Sequence, residues 1–352
     1  MSGMIVRAAG ERALRELVLP RPGLVREPLL HFPLGPADRP LVQRGQLVTP
    51  GSPLFERIPD AAVAELELHA GEEPPAPGTL VDESTPLRIA AGRSLRFEGH
   101  GRVLYATPAH RLRAAIGRHP QTVSSPVAGT VELVSPAAVS VRASGLGLPG
   151  TLAAGQPAEG RLAIAAPGPD GELAGSSIDV ASAGAILVAG ARVDLEVLGR
   201  ARAMGVRGVI VGGLASRDLR GFLASEARQR AAMHGGSPFA LLVLDGYGRR
   251  PIPLAIWQNL AALEGAPVAI SIEPPLLVLS ADAAWARPSS GRVRIAAGDL
   301  LGREGTFLGP AAGLRGAAGV EQPAGRVLLD ALEDETSGTE RTLPLADLER
   351  LA

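Results

Sequence analysis

Between residues 185 and 272 short apolar runs alternate with helical patterns, and no other feature of the chain narrows its possible folds as far. AILVAGA (185–191) has the length and composition of a buried strand. Residues 192–204 then follow helical spacing, with Val193, Val197, Ala201 and Met204 on one face and Gly205 closing the run. VRGVIVGG (206–213) is a second strand. Ser216 stands where a helix cap belongs, ahead of a helix reaching Met233, with Leu219, Phe222, Leu223 and Ala227 inward and Gly235 past its end. FALLVLD (239–245) is a third strand, 253–263 a helix carrying Leu254, Trp257, Leu260 and Ala261, and VAISI (268–272) a fourth strand. Strands and helices in turn, joined by short links, predict a small, mainly parallel α/β domain over 181–282 with right-handed crossovers.

In an open sheet of this kind ligands collect beyond the carboxyl ends of the strands. Three loops would share that edge: AGARVD (189–194), GGLASRD (212–218) and DGYGRRP (245–251). They bring together the candidate ligand-binding residues Arg192, Asp194, Gly212, Gly213, Ser216, Arg217, Asp218, Asp245, Tyr247 and Arg249, with Arg250 beside them. Free N–H groups at Gly212 and Gly213, a helix start at Ser216 and arginine forks suit an anionic group such as phosphate or carboxylate. The same residues also have a purely structural reading, in which glycines make turns while aspartates cap helices and pair with arginines. No GxSxG, HExxH or P-loop pattern and no nucleophile–base pair stands out, so no catalytic residue is assigned.

Two absences limit the chemistry. The chain has no cysteine, and all 35 of its Lys/Arg positions are arginine. Without thiols there are no disulfides, thiolate nucleophiles or Cys-ligated metal centres. Without lysine side chains there is no Schiff base and no pyridoxal, lipoyl or biotinyl attachment, and no cofactor is expected.

Residues 1–180 are dense in Pro and Gly, with short apolar runs. VQRGQLVTPGSPL (42–54) reads as strands broken by glycine turns, and SPVAGTVELV (125–134) as a tight turn before a β-branched run. Together they resemble the paired halves of a barrel-sandwich hybrid, the small β fold of lipoyl and biotinyl carriers. The resemblance implies the fold, while carrier chemistry fails for want of the modifiable lysine. An insertion, 55–124, separates the halves: an acidic, Pro-rich stretch, then seven arginines between 88 and 121 against the single acid Glu98. Arg93, Arg96, Arg102, Tyr105, Arg111 and Arg113 are the candidate nucleic-acid-binding residues there. The competing reading pairs these arginines with the acids before them. His100, His110 and His119 lack ligand spacing, so no metal site is expected. GLGLPG (145–150) is followed by no helical pattern, and we read it as a turn.

Residues 274–290 read as a linker. GRVRIAAGDLLGREGTFLG (291–309) resembles a KOW motif, through alternating Val293 and Ile295, a turn at Gly298 and the strand after it. RVLLDAL (326–332) and TLPLADLERL (342–351) would complete a small SH3-like β-barrel, making 283–352 a linker plus barrel. KOW modules contact RNA or protein. This stretch has seven arginines against ten acids from 291 to the end, the wrong sign for phosphate. AILVAGARVD and GVIVGGL also resemble swivelling β/α domains.

The expected architecture is therefore multidomain α+β. A net charge of −1 gives no global pull toward nucleic acid or membrane. Residues 1–10 carry no apolar run of signal-peptide length, so a cytoplasmic location is expected. The favoured function is a non-catalytic binding or scaffold protein with a protein partner. One alternative is an enzyme or sensor for a small anionic metabolite, with Asp194, Asp218 or Asp245 as acid or base and Arg217 or Arg249 as clamp. The other is an RNA-, ribosome- or transcription-associated KOW protein.

Overall fold

The computed structural model describes residues 13–15, 17–59, 61–69, 73–82, 85, 87–88, 94–95, 100–107, 111–117, 119–232, 238–287, 289–316, 319–331 and 337–351. Strands outweigh helices, 44% to 15%, and are spread over several sheets. Among the described residues no helix is long and apolar enough to cross a membrane.

The largest sheet has nine strands. In chain order they are β1 (Val25–Arg26), β2 (Gly145–Pro149), β3 (Leu152–Gly155), β4 (Ala158–Ile164), β5 (Ala185–Val188), β6 (Gly208–Val211), β7 (Ala240–Val243), β8 (Pro267–Ser271) and β9 (Leu276–Ser280). Three helices connect the later strands: α1 (Leu195–Ala203), α2 (Ser216–Ala232) and α3 (Leu254–Ala262). The spatial order is β1-β2-β9-β8-β4-β5-β6-β7-β3. Only β4 to β7 run parallel to one another, and antiparallel strands flank them on both sides.

Strands β5, β6 and β7 are buried at every residue, because both faces of the sheet are covered. Alternation along each strand divides the core. Leu187, Val209, Val211 and Leu241 meet Val197, Leu198 and Ala201 of α1 and Leu219 and Phe222 of α2. Ile186, Val188, Ile210 and Leu242 meet Ile256 and Leu260 of α3 on the opposite face.

Several expectations are corrected here. The sheet is mixed and extends well beyond 181–282. Its first parallel strand, β4, comes from AEGRLAI, a stretch whose Gly-punctuated β pattern assigns it to the N-terminal region. GLGLP, read as a turn, is the strand β2, its glycines admitting close neighbours: a Cβ on Gly145 would strike the Leu279 carbonyl. LLVLS, placed in a linker, is β9. The strand VAISI runs antiparallel to β4 as β8. Its direction follows from α3, which begins beside Pro169 and ends beside Leu162 and Ile164, so it starts and finishes at the carboxyl edge of β4. The chain must then re-enter the sheet from that edge. In α2, Leu223 and Ala227 face solvent, and the inward residue is Glu226, only 1% exposed and paired with Arg202 of α1. The Arg202 guanidinium lies over the Phe239 ring, 5.8 Å from its centroid.

In the N-terminal region the two glycine-rich halves do meet, with Leu47 opposite Thr130 and Val48 opposite Gly129. They belong to a four-stranded sheet with Leu29–Pro33 and Ala138–Ala143. The excursion between them closes at its base, where Pro53–Arg57 pairs with Gln121–Ser124. Beyond that stem lies a second four-stranded sheet, ordered Ala62–Glu67, Arg111–Gly117, His100–Ala106 and Leu80–Val81.

The C-terminal region is a five-stranded sheet of β10 (Arg292–Ile295), β11 (Glu304–Arg315), β12 (Glu321–Leu329), β13 (Glu340–Pro344) and β14 (Leu348–Arg350). Its order is β13-β12-β11-β10-β14, with a 3-10 turn at Leu345–Asp347 leading into β14. Its core is not its own. Leu14 and Val18, four residues apart on one turn, are buried among Val293, Ile295, Phe307, Val327, Leu329, Leu345 and Leu348. The segment from Leu14 to Arg21, expected with the N-terminal β region, therefore packs with the chain's other end. Backbone bonds extend the contact, from Arg21 N to the Arg350 carbonyl (2.8 Å) and from Arg350 N to the Leu19 carbonyl (2.9 Å).

Candidate functional site

The three loops singled out in the sequence do share the carboxyl edge of the parallel strands, but the chain itself fills it. After β7, residues 245–252 cross the strand ends one after another as a belt. Asp245 N donates to the Gly212 carbonyl beyond β6 (2.8 Å) and Gly248 N to that of Leu214 (3.0 Å). Arg250 N then donates to Ala191 beyond β5 (3.1 Å), and Ile252 N to Pro169 beyond β4 (2.9 Å). The glycines make room for this crossing. A Cβ on Gly212 would collide with the Arg250 carbonyl oxygen, and one on Gly213 with that of Gly248.

The expected free N–H groups are already spent. Gly212 N donates to the Gly190 carbonyl (2.8 Å) and Gly213 N to that of Ala191 (3.2 Å). The belt supplies N–H groups to carbonyls at four places and accepts at one, where Leu214 N donates to the Gly246 carbonyl (3.1 Å), so what it covers is mainly an edge of acceptors. Such an edge does not suit an anion, and this corrects the expectation of a donor-rich cradle.

The charged candidates divide in the same way. Asp194 is the N-cap of α1, its Oδ1 accepting from Val197 N at 2.9 Å. Ser216 is the first residue of α2 and not its cap; Leu219 N donates to the Ala215 carbonyl, so the cap position falls one residue earlier. Asp218 lies buried in the first turn of α2, where the helix N-terminus favours a carboxylate. Its Oδ1 is 3.8 Å from Arg217 Nε, and its Oδ2 has no hydrogen-bond partner among the described residues. Arg217 itself is exposed. Arg249 reaches Glu172 Oε1 (3.3 Å) and the Asp170 carbonyl, and Arg250 reaches the Tyr247 carbonyl (3.0 Å). The Tyr247 ring is exposed, and the half-buried Arg192 makes no side-chain hydrogen bond or ion pair among the described residues.

Asp245 is the centre of a buried network that sequence reasoning missed. Its two oxygens face Arg21 (2.6 Å) and Arg294 (2.5 Å), and Arg294 also donates to the Pro251 carbonyl. Glu349 stands 3.4 Å from Arg21 and 3.9 Å from Arg294. Glu304 accepts from Leu254 N at 2.6 Å, so the α3 N-terminus, whose Pro253 offers no cap, is capped from the C-terminal sheet. Arg250 donates to the Ala296 carbonyl (3.3 Å), and Gly302 abuts the Pro251 ring. These contacts dock the C-terminal sheet on the belt. Nothing local marks Arg21, Arg294, Glu304 or Glu349, because their partners lie far away in the chain.

Among the nucleic-acid candidates, Arg93 and Arg96 lie outside the described residues. Arg102 is buried, with Nη2 3.1 Å from Glu56, while its Nε and Nη1 find no partner among the described residues. Arg111 pairs with Glu65 at 3.2 Å. Arg113 donates to the Tyr105 hydroxyl at 2.8 Å and lies over its ring, and that hydrogen bond raises the guanidinium's pKa further. His100 packs against His119 with ring centroids 3.8 Å apart and the rings tilted by 40°; His110 lies outside the described residues. Among the described residues no group of three His, Asp or Glu is placed to hold a metal ion. A shallow groove of about 380 Å³ runs between the turn after α3 and the end of β9, walled mainly by Leu263, Val268, Leu279 and Ala283, with Asp282 at its rim. Compared with known proteins, the chain matches no family model and no curated sequence.

Proposed function

We propose that the protein is a non-catalytic cytoplasmic binding or scaffold protein that takes protein partners on its outer surfaces. The observation that carries this reading is the fate of Asp245, the best-placed acid of the strand-end edge. Both its oxygens are taken by Arg21 and Arg294 and its side chain is only 8% exposed, so it is not free to act on a substrate. The C-terminal unit reads as an SH3-like barrel. Its strand order, the 3-10 turn before β14 and the bulges that bend β11 support this. The KOW reading draws support from the tight turn at 296–303, where Gly298 and Gly302 take positive φ. That turn packs on Pro251, and the unit is acidic, so protein suits it better than RNA. The pairing of the two glycine-rich halves supports the barrel-sandwich-like reading of the N-terminal region.

A thermal-shift screen with phosphorylated metabolites tests the proposal. The expected result is no specific stabilisation. A shift that Arg217→Ala abolishes would overturn it in favour of a metabolite-binding enzyme or sensor.

A further inference from the structure

The outer face of the sheet formed by 62–67, 111–117, 100–106 and 80–81 is ordered in rows. Glu67 stands opposite Arg111; Glu65 stands opposite Arg113, and Arg113 opposite Tyr105; Val63 stands opposite Ala115, and Ala115 opposite Arg102. Directly opposed residues of antiparallel strands share a face. The reverse face is core, holding Val81, Val103 and Leu112.

Ala115 and Arg102 are buried, but Val63 at the edge of their row and the two rows beyond it are open. Arg111 and Glu65 are 58% and 49% exposed, and Tyr105 and Val63 are 43% and 45% exposed. Two glutamates thus form a negative column on the edge strand. Two arginines form a positive column on its neighbour, about 4.8 Å away.

A negative column beside a positive one is complementary to itself. Consider a two-fold axis lying in the face, parallel to the strands and between the columns. It sets Glu65 of each copy over Arg113 of the other, and Glu67 over Arg111. An axis across the strands would set glutamate over glutamate, so charge selects one arrangement. A nucleic acid would meet Glu65 and Glu67 with its phosphates, which argues against it as occupant.

We propose that this face docks a second copy of the chain, stacking the two four-stranded sheets into a two-fold dimer. Tyr105 and Val63 supply apolar contact beside the charged columns. Three strands of six or seven residues and one of two make a patch of at most about 20 Å by 20 Å, smaller than the ~800 Å² per partner of a standard interface. The dimer is therefore weak, with a dissociation constant in the micromolar range, and it loosens as salt screens the columns.

Sedimentation of the full chain from about 1 μM to 0.2 mM tests this range. Two variants reverse one column each: Arg111→Glu with Arg113→Glu, and Glu65→Arg with Glu67→Arg. The changed side chains are exposed, so circular dichroism should match the wild type. The expected result is a reversible wild-type dimer, about tenfold or more weaker in either variant alone, and a heterodimer when the two variants are mixed. A wild-type monomer throughout the range overturns the proposal. So does a dimer indifferent to charge reversal, or a mixture that fails to pair. The metabolite screen is independent of all three outcomes, so failure here is distinguishable from failure of the non-catalytic reading.

Discussion

The strand-end edge of the large sheet and the outer face of the smaller four-stranded sheet are built from the same side chains, arginine, carboxylate and tyrosine. They use them in opposite ways. At the edge, Asp245, Arg21 and Arg294 are buried, and their charges hold three parts of the chain together. On the face, Glu65, Arg111 and Arg113 point into water, and their mutual pairs are exposed. Removing one partner of a buried pair strands a charge, whereas an exposed pair is already close to its solvated reference. Residue type therefore does not distinguish a binding surface from a structural joint; the partner of each charge and its access to water do.

That contrast can be broken most forcefully at its buried end. Asp245→Ala leaves Arg21 and Arg294 facing each other without their carboxylate. It should cost about 3–5 kcal/mol in denaturant unfolding, with protection from hydrogen exchange lost along 245–252. Leu14→Ala opens a cavity in the C-terminal core from the far end of the chain and should cost about 2–5 kcal/mol. If limited proteolysis then releases the C-terminal sheet while the nine-stranded sheet stays intact, the two ends form a joint unit. Gly212→Ala forces the belt off the strand ends and should cost about 1–3 kcal/mol, in contrast to Gly246→Ala, where no neighbouring atom stands within 4 Å of the added Cβ and only positive φ is strained. At the exposed end, Arg111→Ala should change monomer stability by about 1 kcal/mol or less.

The smallest effect expected is a pH dependence in the C-terminal sheet. Arg292 grips Asp330 with both Nη atoms and holds its pKa below the usual carboxylate value. A carboxylate with a depressed folded pKa stabilises the fold above its unfolded pKa and loses that contribution as pH falls through the folded one. Unfolding of this sheet should become easier on acidification below the ordinary carboxylate range, and Asp330→Asn should flatten that slope. An unchanged slope would assign it to other carboxylates.

The alternating centre was legible because β5, β6, β7 and the helices between them sign themselves locally. Each strand is an unbroken apolar run, and each helix buries residues at helical spacing. Where a strand carries charges the signature fails. The β character of 158–164 is legible, but Glu159 and Arg161 gave no sign that β4 joins the buried parallel strands, and the glycines of 145–149 imitated a turn. Leu223 looked like core by spacing, yet Glu226 took the inward position because Arg202 meets it there. The candidate residues of the edge were rightly grouped, since 189–194, 212–218 and 245–251 do converge. Their use was misread, because the belt that consumes them is one of the same three loops.

By itself the sequence determined that the unbroken apolar runs of β5, β6 and β7 must be buried, and which chemistries are closed to a chain without thiols or lysine side chains. Both depend on the residues alone, on apolar area and on functional groups. Tertiary structure alone decided the direction of β8, the joining of the segment at Leu14–Arg21 to the far sheet, and the closing of the strand-end edge. Those outcomes turn on which distant backbone and charged groups can satisfy one another, and a buried polar group takes whichever partner the fold delivers.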